Sequence, residues 1–126
     1  MLLLRDCRAA TVLVVEDDEV LRMCSADIVS DAGFAPVEAA NADEAVAILE
    51  SRSDIALLLT DIQMPGSMDG LELAATVRRR WPRIKIILVS GGVEAAESDM
   101  PADSRFFSKP FRSLQMIQAL QEMMLA

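Results

Sequence analysis

The chain has 126 residues, a length that fits one domain with a core of its own and needs no stabilising disulfides. Its net charge of −8 argues against nucleic acid or an anionic membrane surface as a direct partner, because both require clustered lysine and arginine. The chain has no histidine, which excludes histidine-based catalytic triads, histidine metal sites and phosphohistidine chemistry on this chain.

The first predicted unit is a strand followed by a helix. Thr11–Val15 is a continuous, β-branched run, as expected of a strand covered on both faces. Asp18–Ala32 follows with helical spacing of its apolar residues, and we expect Asp18 to cap this helix and Gly33 to follow its end. The stripe that we expect to face the core consists of Leu21, Cys24 and Ile28.

The next segments predict a second strand and helix and a third strand. Ala35–Ala39 is a weaker strand, and Pro36 indicates a place at the edge of the sheet. Asn41 is the expected N-terminal cap of a helix that extends through Glu50. Ile55–Thr60 is again a continuous apolar run, which favours a buried strand.

The remaining elements follow the same alternation. Gly70–Arg80 is predicted to be helical, and Ile84–Val89 and Phe106–Ser108 are predicted strands. Between these two strands, Val93–Asp99 predicts a fourth helix that is short or irregular, because a proline follows it closely. A last helix is expected to start with Ser113 as its cap, and its buried stripe is expected to be Leu114, Ile117, Leu120 and Met124.

The order of five strand–helix units predicts an α/β fold with a doubly wound parallel sheet. We expect one domain, residues 11–126, preceded by an N-terminal extension, residues 1–10. The two cysteines, Cys7 and Cys24, form no disulfide framework, and no apolar run is long enough for a signal peptide or a membrane span. A cytoplasmic protein without direct membrane contact is therefore expected.

Polar residues follow the predicted strands at the carboxyl edge of the sheet, where open α/β sheets bind their ligands. They are Glu16 and Asp17 after the first strand, Asp61 after the third, Ser90 after the fourth and Lys109 after the fifth. Singly, such residues are often turn formers or helix caps. Three carboxylates in one crevice favour a hard cation such as Mg²⁺. Asp61, in the middle, has the chemistry to accept a phosphoryl group while the metal and Lys109 stabilise its charge.

Several segments together resemble the receiver domains of bacterial response regulators. They are Val12–Asp18, Leu57–Pro65, Asp69–Gly70, Ile87–Ser90 and Phe106–Phe111. The resemblance extends from the first strand to the last helix, and it implies a flavodoxin-like (βα)5 fold with strand order 2-1-3-4-5. The chain departs from the family in an extra residue in the loop after Asp61 and in the short span between Ser90 and Lys109.

The resemblance also implies a role for each residue of the predicted site. The implied Mg²⁺ site consists of Asp17, Asp61 and the main-chain carbonyl of Gln63, with Glu16 contributing through water. The other implied roles are phosphoacceptor for Asp61, phosphoryl contact for Lys109, and conformational switch for Ser90 and Phe106. Phosphorylation would then shift an existing equilibrium between an inactive and an active state.

The expected function is that of a two-component signal transduction receiver that switches partner binding. By resemblance, the phosphoryl donor is a histidine kinase or a histidine phosphotransfer protein, which would dock near Val20 and Leu21 on the first helix. We expect a monomer or weak dimer without an output domain, acting on an unknown downstream protein. Its only catalysis is expected to be its own phosphorylation and dephosphorylation.

Three other functions remain open. The chain could serve as a phosphorelay intermediate or phosphate sink, or as a receiver-like interaction domain whose phosphorylation is vestigial. A Mg²⁺-dependent phosphohydrolase with Asp61 as nucleophile is the third, but Gln63 stands where such enzymes usually carry a second acid.

Overall fold

A computed structural model describes residues 10–91 and 103–125, which form five strands and four helices. The strands are β1 (Thr11–Val15), β2 (Ala35–Ala39), β3 (Ile55–Asp61), β4 (Lys85–Ser90) and β5 (Ser104–Ser108), and the helices are α1 (Glu19–Asp31), α2 (Ala42–Ser51), α3 (Gly70–Arg80) and α4 (Ser113–Leu125). The predicted fourth helix at Val93–Asp99 lies outside the described residues, as does nearly all of the predicted N-terminal extension. None of the described helices is long and apolar enough to cross a membrane.

The strands form one parallel sheet in the order β2-β1-β3-β4-β5, which confirms the predicted topology. The register aligns the carboxyl ends of the central strands, because Val15 lies beside Thr60 and Asp61 lies beside Val89. β2 is an edge strand, as Pro36 indicated. The residues that follow β1, β3 and β5 therefore meet along one edge of the sheet.

Helices cover both faces of the sheet and create two cores. Leu13 and Val15 of β1 point to the face that α2 and α3 cover, whereas Val12 and Val14 point to the face that α1 and α4 cover. All five residues of β1 are buried, which explains why its sequence is continuously apolar instead of alternating. The doubly wound arrangement is therefore the one that the sequence predicted.

The helix starts follow the capping rules closely. The side chain of Asp18 accepts a hydrogen bond from the main-chain N–H of Leu21, and that of Asn41 accepts one from Glu44, as predicted. Asp69 caps α3 in the same way, and the Glu72 side chain accepts from the Asp69 N–H to complete a capping box. These caps fix where each helix leaves the carboxyl edge of the sheet.

The predicted buried stripe of α1 is wrong at Leu21 and Cys24, whereas its third residue, Ile28, is half-buried and packs against the core. Cys24 is exposed and Leu21 is 44% exposed, whereas Ala26 and Val29 are buried against the sheet. Both sets have helical spacing, so periodicity did not decide which face turns inward. The small side chain of Ala26 permits close packing on the sheet, while the larger apolar residues near the start of the helix face outward.

The last helix shows a similar shift. Leu114 is 73% exposed, and the buried positions are Met116, Ala119, Leu120 and Met123. Of the predicted stripe, only Leu120 is fully buried. Ser113 is the first residue of the helix and not its cap, because the Met116 N–H bonds to the carbonyl of Arg112.

Candidate functional site

Three carboxylates predicted from the sequence converge at the carboxyl edge of the sheet. Glu16 and Asp17 directly follow β1, and Asp61 is the last residue of the neighbouring strand β3. One oxygen from each lies within 4.8 Å of the others. Glu16 is buried, Asp61 is half-buried and Asp17 is exposed, so the cluster forms an acidic cleft that opens to solvent.

Lys109 bridges two of these acids. Its Nζ lies 3.1 Å from Oε1 of Glu16 and 3.1 Å from Oδ2 of Asp61. Its main-chain N–H donates to the carbonyl of Ser90, which ties the end of β5 to the end of β4. Burial alone would lower the pKa of Lys109, but the hydrogen bonds and charges of Glu16 and Asp61 outweigh it and hold that pKa above its ordinary value. Lys109 is therefore a fixed cation within the acidic cluster.

Asp17 lies in an environment that opposes its charge. Loss of hydration and the neighbouring carboxylate of Glu16 raise the pKa of Asp17 above its ordinary value, and the charge of Asp18 adds to the effect. Lys109 contacts Glu16 and Asp61, and Asp17 is not among the acids to which it donates. The cluster is thus short of positive charge on the side where Asp17 lies.

Arg22 on α1 holds Glu16 in place, and sequence reasoning did not identify this contact. Its Nη1 donates to the main-chain carbonyl of Glu16 over 3.0 Å, and its Nε donates to Glu38 over 3.2 Å. A basic residue in the first turns of a helix is unfavourable to the helix dipole, so its position was a signal for a nearby acidic partner. The Glu16 carboxylate also accepts from the N–H of Asp18 over 2.9 Å.

The loop after Asp61 packs tightly under α3. A Cβ added to Gly70 would lie 2.0 Å from the Asp61 carbonyl oxygen, and the Gly70 N–H donates to the Ile62 carbonyl over 2.7 Å. Only glycine fits this approach without a shift of the backbone. The N–H of Gln63 lies 3.4 Å from Oδ1 of Asp61, which places Gln63 beside the acid in the same loop.

The two predicted switch residues lie on adjacent strands next to this cluster. Ser90 is buried at the end of β4, the neighbour of the strand that carries Asp61. Phe106 on β5 lies beside Leu88, is half-buried and packs against the core on the α2–α3 face. The structure thus brings Glu16, Asp17, Asp61 and Lys109 together, with Ser90 next to them and Phe106 further along β5.

The donor set suits a hard cation. Its ligands are carboxylate oxygens from three residues, with exposure on the Asp17 side that leaves room for water, and this combination fits Mg²⁺ better than softer metals. Chemically, the arrangement offers a carboxylate nucleophile, a fixed ammonium group and a cation site within one small cleft.

The comparisons with known proteins agree with this geometry. Residues 12–121 match the family model described as the response regulator receiver domain. The chain is 37% identical over 120 residues to the sensor kinase CckA of Brucella abortus, covering 92% of this chain but only 13% of CckA. It is 33% identical over 118 residues to the response regulator receiver protein CpdR of the same species, covering 91% of this chain and 97% of CpdR.

Solved structures of receiver proteins also match this fold. The crystal structure of a response regulator receiver protein from Sinorhizobium medicae matches with a TM-score of 0.85 and 30% identity, over 94% of this chain and 96% of that one. The family match covers most of the chain and includes every residue of the predicted site. The chain belongs to the response regulator receiver domain family, the phosphoryl-accepting modules of two-component signal transduction.

Proposed function

We propose that Asp61 is the residue that accepts the phosphoryl group. The observation that carries this assignment is the state of the carboxylate oxygens. Both oxygens of Glu16 are engaged, one by Lys109 and the other by the N–H of Asp18. Asp61 offers Lys109 one oxygen, and among the described residues its other oxygen has only the long contact with the Gln63 N–H. Asp61 is therefore better placed than Glu16 to act as the nucleophile.

We further propose that the cluster binds Mg²⁺ through Asp17, Asp61 and the main-chain carbonyl of Gln63, and that Glu16, whose oxygens are both engaged, contributes through water. Three converging carboxylates and the raised pKa of Asp17 support a cation at this position. The bound ion would supply positive charge to the phosphoryl oxygens. Asp17, which carries the least compensated charge, would gain most from the ion.

Lys109 would contact and orient the phosphoryl group. Its ammonium group already contacts Asp61 Oδ2, so a phosphoryl group on Asp61 would stay within its reach. The side chains of Ser90 and Phe106 would change position when Asp61 is phosphorylated. The Ser90 hydroxyl would approach the phosphoryl group, and the half-buried Phe106 ring would move in response, shifting the population toward a partner-binding state.

The donor in this proposal is a histidine kinase or a histidine phosphotransfer protein. Exposed apolar side chains near the acidic cleft favour a surface on which this donor docks. Val20 is 68% exposed at the start of α1, and Leu114 is 73% exposed at the start of α4. Since α1 and α4 cover the same face of the sheet, these residues flank one side of the cleft. The downstream partner would be a protein that distinguishes the two states of β5. We propose that the chain is a monomer or weak dimer. It would act as a signalling switch and not as an enzyme.

The test is phosphorylation by a small donor. Purified protein is incubated with acetyl phosphate and Mg²⁺, beside Asp61→Asn, an EDTA control and the matched variant Asp27→Asn, which removes an exposed acid of α1. Intact mass should show metal-dependent modification of the wild type and of Asp27→Asn, and none of Asp61→Asn. Equal modification of Asp61→Asn would refute the assignment.

The same labelling measurement, repeated with histidine kinases and with a histidine phosphotransfer protein, separates the alternatives. A protein that binds the metal but is modified neither by acetyl phosphate nor by a set of histidine kinases would be a receiver-like interaction domain. Rapid return of the phosphoryl group to a phosphotransfer protein would instead identify a relay intermediate or phosphate sink.

A further inference from the structure

A groove of about 590 Å³ lies at the end of the sheet opposite the acidic cleft. It runs between the C-terminal ends of α2 and α3, below the starts of β3 and β4. Its floor is formed by Leu49, Ile55 and Ile84, which belong to the core, and Trp81 forms one wall. We call it the Trp81 groove. Its volume and apolar floor match those of ligand pockets, and it shares no residue with the acidic cleft.

The rim of the Trp81 groove has a net positive charge, although the chain carries a net charge of −8 and two of the rim arginines are paired, Arg52 with Asp54 and Arg80 with Glu50. Arg52, Arg80 and Arg83 line it, and Glu50 is the one acid among its lining residues. Arg80 pairs with Glu50 over 2.8 Å and stacks over the Trp81 ring at 4.4 Å from the ring centre. These contacts hold the Arg80 guanidinium against the aromatic wall.

Arg83 is the cation that is available to a ligand. It is exposed, and it has no ion pair or hydrogen bond with any of residues 10–91 or 103–125. Guanidinium groups bind phosphate through paired hydrogen bonds, and their flat faces also stack on planar rings, as the Arg80 guanidinium does on Trp81. A free cation beside an apolar, aromatic pocket therefore selects a ligand with a flat ring and an anionic group.

We propose that the Trp81 groove is a second ligand site, which binds a mononucleotide-sized aromatic phosphate with its ring over the Arg80 guanidinium that stacks on Trp81 and its phosphate at Arg83. The metal-free acidic cleft is less suited to such an anion, because the charges of its three carboxylates outweigh that of Lys109. The site would thus let the protein sense a small anion at one end of the sheet while phosphorylation occurs at the other.

The test uses the one tryptophan of the chain as a reporter. Its indole N–H gives a single NMR signal, which is followed while adenosine monophosphate is added to the full chain without Mg²⁺. Arg83→Ala removes the free cation of the groove. Arg79→Ala is the matched control, because Arg79 is an exposed arginine near the same helix end that does not line the groove. Inorganic phosphate and adenosine are added in separate titrations to distinguish anion binding from ring binding.

We expect a saturable shift of the indole signal with adenosine monophosphate, an affinity loss of about fivefold or more in Arg83→Ala, and less than about twofold in Arg79→Ala. Inorganic phosphate or adenosine alone should bind more weakly than the complete ligand. The proposal fails if the signal does not move, if both arginine variants bind alike, or if either fragment binds as tightly as the nucleotide. None of these outcomes depends on Asp61, so they are independent of the phosphorylation test.

Discussion

Asp17 is held beside Glu16 in the folded protein, where two carboxylates lie close together and one lysine serves the other side of the cluster. In the absence of a metal, its charge opposes folding. We predict that Asp17→Asn stabilises the metal-free protein, by roughly 0.5 kcal/mol because solvent screens an exposed group. Urea unfolding in EDTA measures the difference, and Asp27→Asn, on an exposed face of α1, should change the stability by less.

The pH dependence of this difference follows from the direction of the pKa shift. The folded protein holds the Asp17 proton more tightly than the unfolded chain does, so the penalty is fully present above the folded pKa. It shrinks as the pH falls through that pKa and disappears below the ordinary value of 3.8. A stability gain of Asp17→Asn that stayed constant down to acid pH would contradict the electrostatic explanation.

Arg22 acts on the cluster through the main chain of Glu16. We predict that Arg22→Ala weakens Mn²⁺ binding, measured by electron paramagnetic resonance, and lowers the free energy of unfolding by about 1 kcal/mol. Glu38→Gln should retain most of the metal affinity, because it leaves the bond from Arg22 to the Glu16 carbonyl intact. If both variants lose metal affinity equally, the ion pair and not the carbonyl contact positions Glu16.

The grouping of the site residues could be predicted from the sequence where each residue lies at the end of a strand. Glu16, Asp17, Asp61 and Lys109 follow strands, and the parallel topology brings strand ends together. The position of Arg22 near the start of α1 signalled an acidic partner, but its contact with the Glu16 carbonyl was not predictable, because it depends on how α1 turns over the end of β1.

At the scale of elements, the junction between β3 and α3 leaves no room for a Cβ atom at residue 70. We predict that Gly70→Ala costs about 3 kcal/mol or more, because its Cβ would overlap the Asp61 carbonyl and displace either the strand end or the helix. Since Asp61 ends β3, acetyl phosphate labelling should fall as well. Thermal unfolding and intact mass measure the two effects.

Gly91→Ala is the matched control. Its Cβ would meet the Lys109 side chain at 3.6 Å, an ordinary contact, and its φ does not require glycine. The variant should fold with nearly wild-type stability, within about 0.5 kcal/mol. A similar loss in both variants would mean that glycine flexibility, and not the close approach at Gly70, limits stability.

Element boundaries were predicted to within about two residues because caps and apolar runs are local signals. The faces of α1 and α4 that turn toward the sheet were not predicted correctly, because they depend on which side chains pack against the sheet surface. In α1 the predicted inward residue Cys24 is exposed, and Ala26 packs on the sheet in its place. In α4, Met116 is buried against the sheet and the predicted Leu114 is exposed.

Charge is unevenly distributed along the strands. The carboxyl edge of the sheet carries the acidic cluster, while more than half of the chain's 12 lysines and arginines lie at the opposite edge. They are Arg52, Arg78, Arg79, Arg80, Arg83, Lys85 and Arg105. Three of these arginines pair with acids of the same edge. Their convergence could not be predicted from the sequence, because it depends on α2, α3 and β5 meeting at one edge. Cations and anions are therefore expected to act on opposite ends of the molecule.

Mg²⁺ should accordingly stabilise the protein in a way that general screening does not reproduce. Both Mg²⁺ and KCl reduce the repulsion within a chain of charge −8, but only a site-bound ion joins Asp17 to Glu16 and Asp61. We predict that Mg²⁺ at ten times its dissociation constant adds about 1.4 kcal/mol to the free energy of unfolding, beyond the effect of KCl at equal ionic strength. In Asp17→Asn the excess should largely disappear while the KCl effect remains, and Asp27→Asn should keep both. Equal stabilisation by the two salts would mean that the acidic cluster acts only as part of the overall charge and holds no ion of its own.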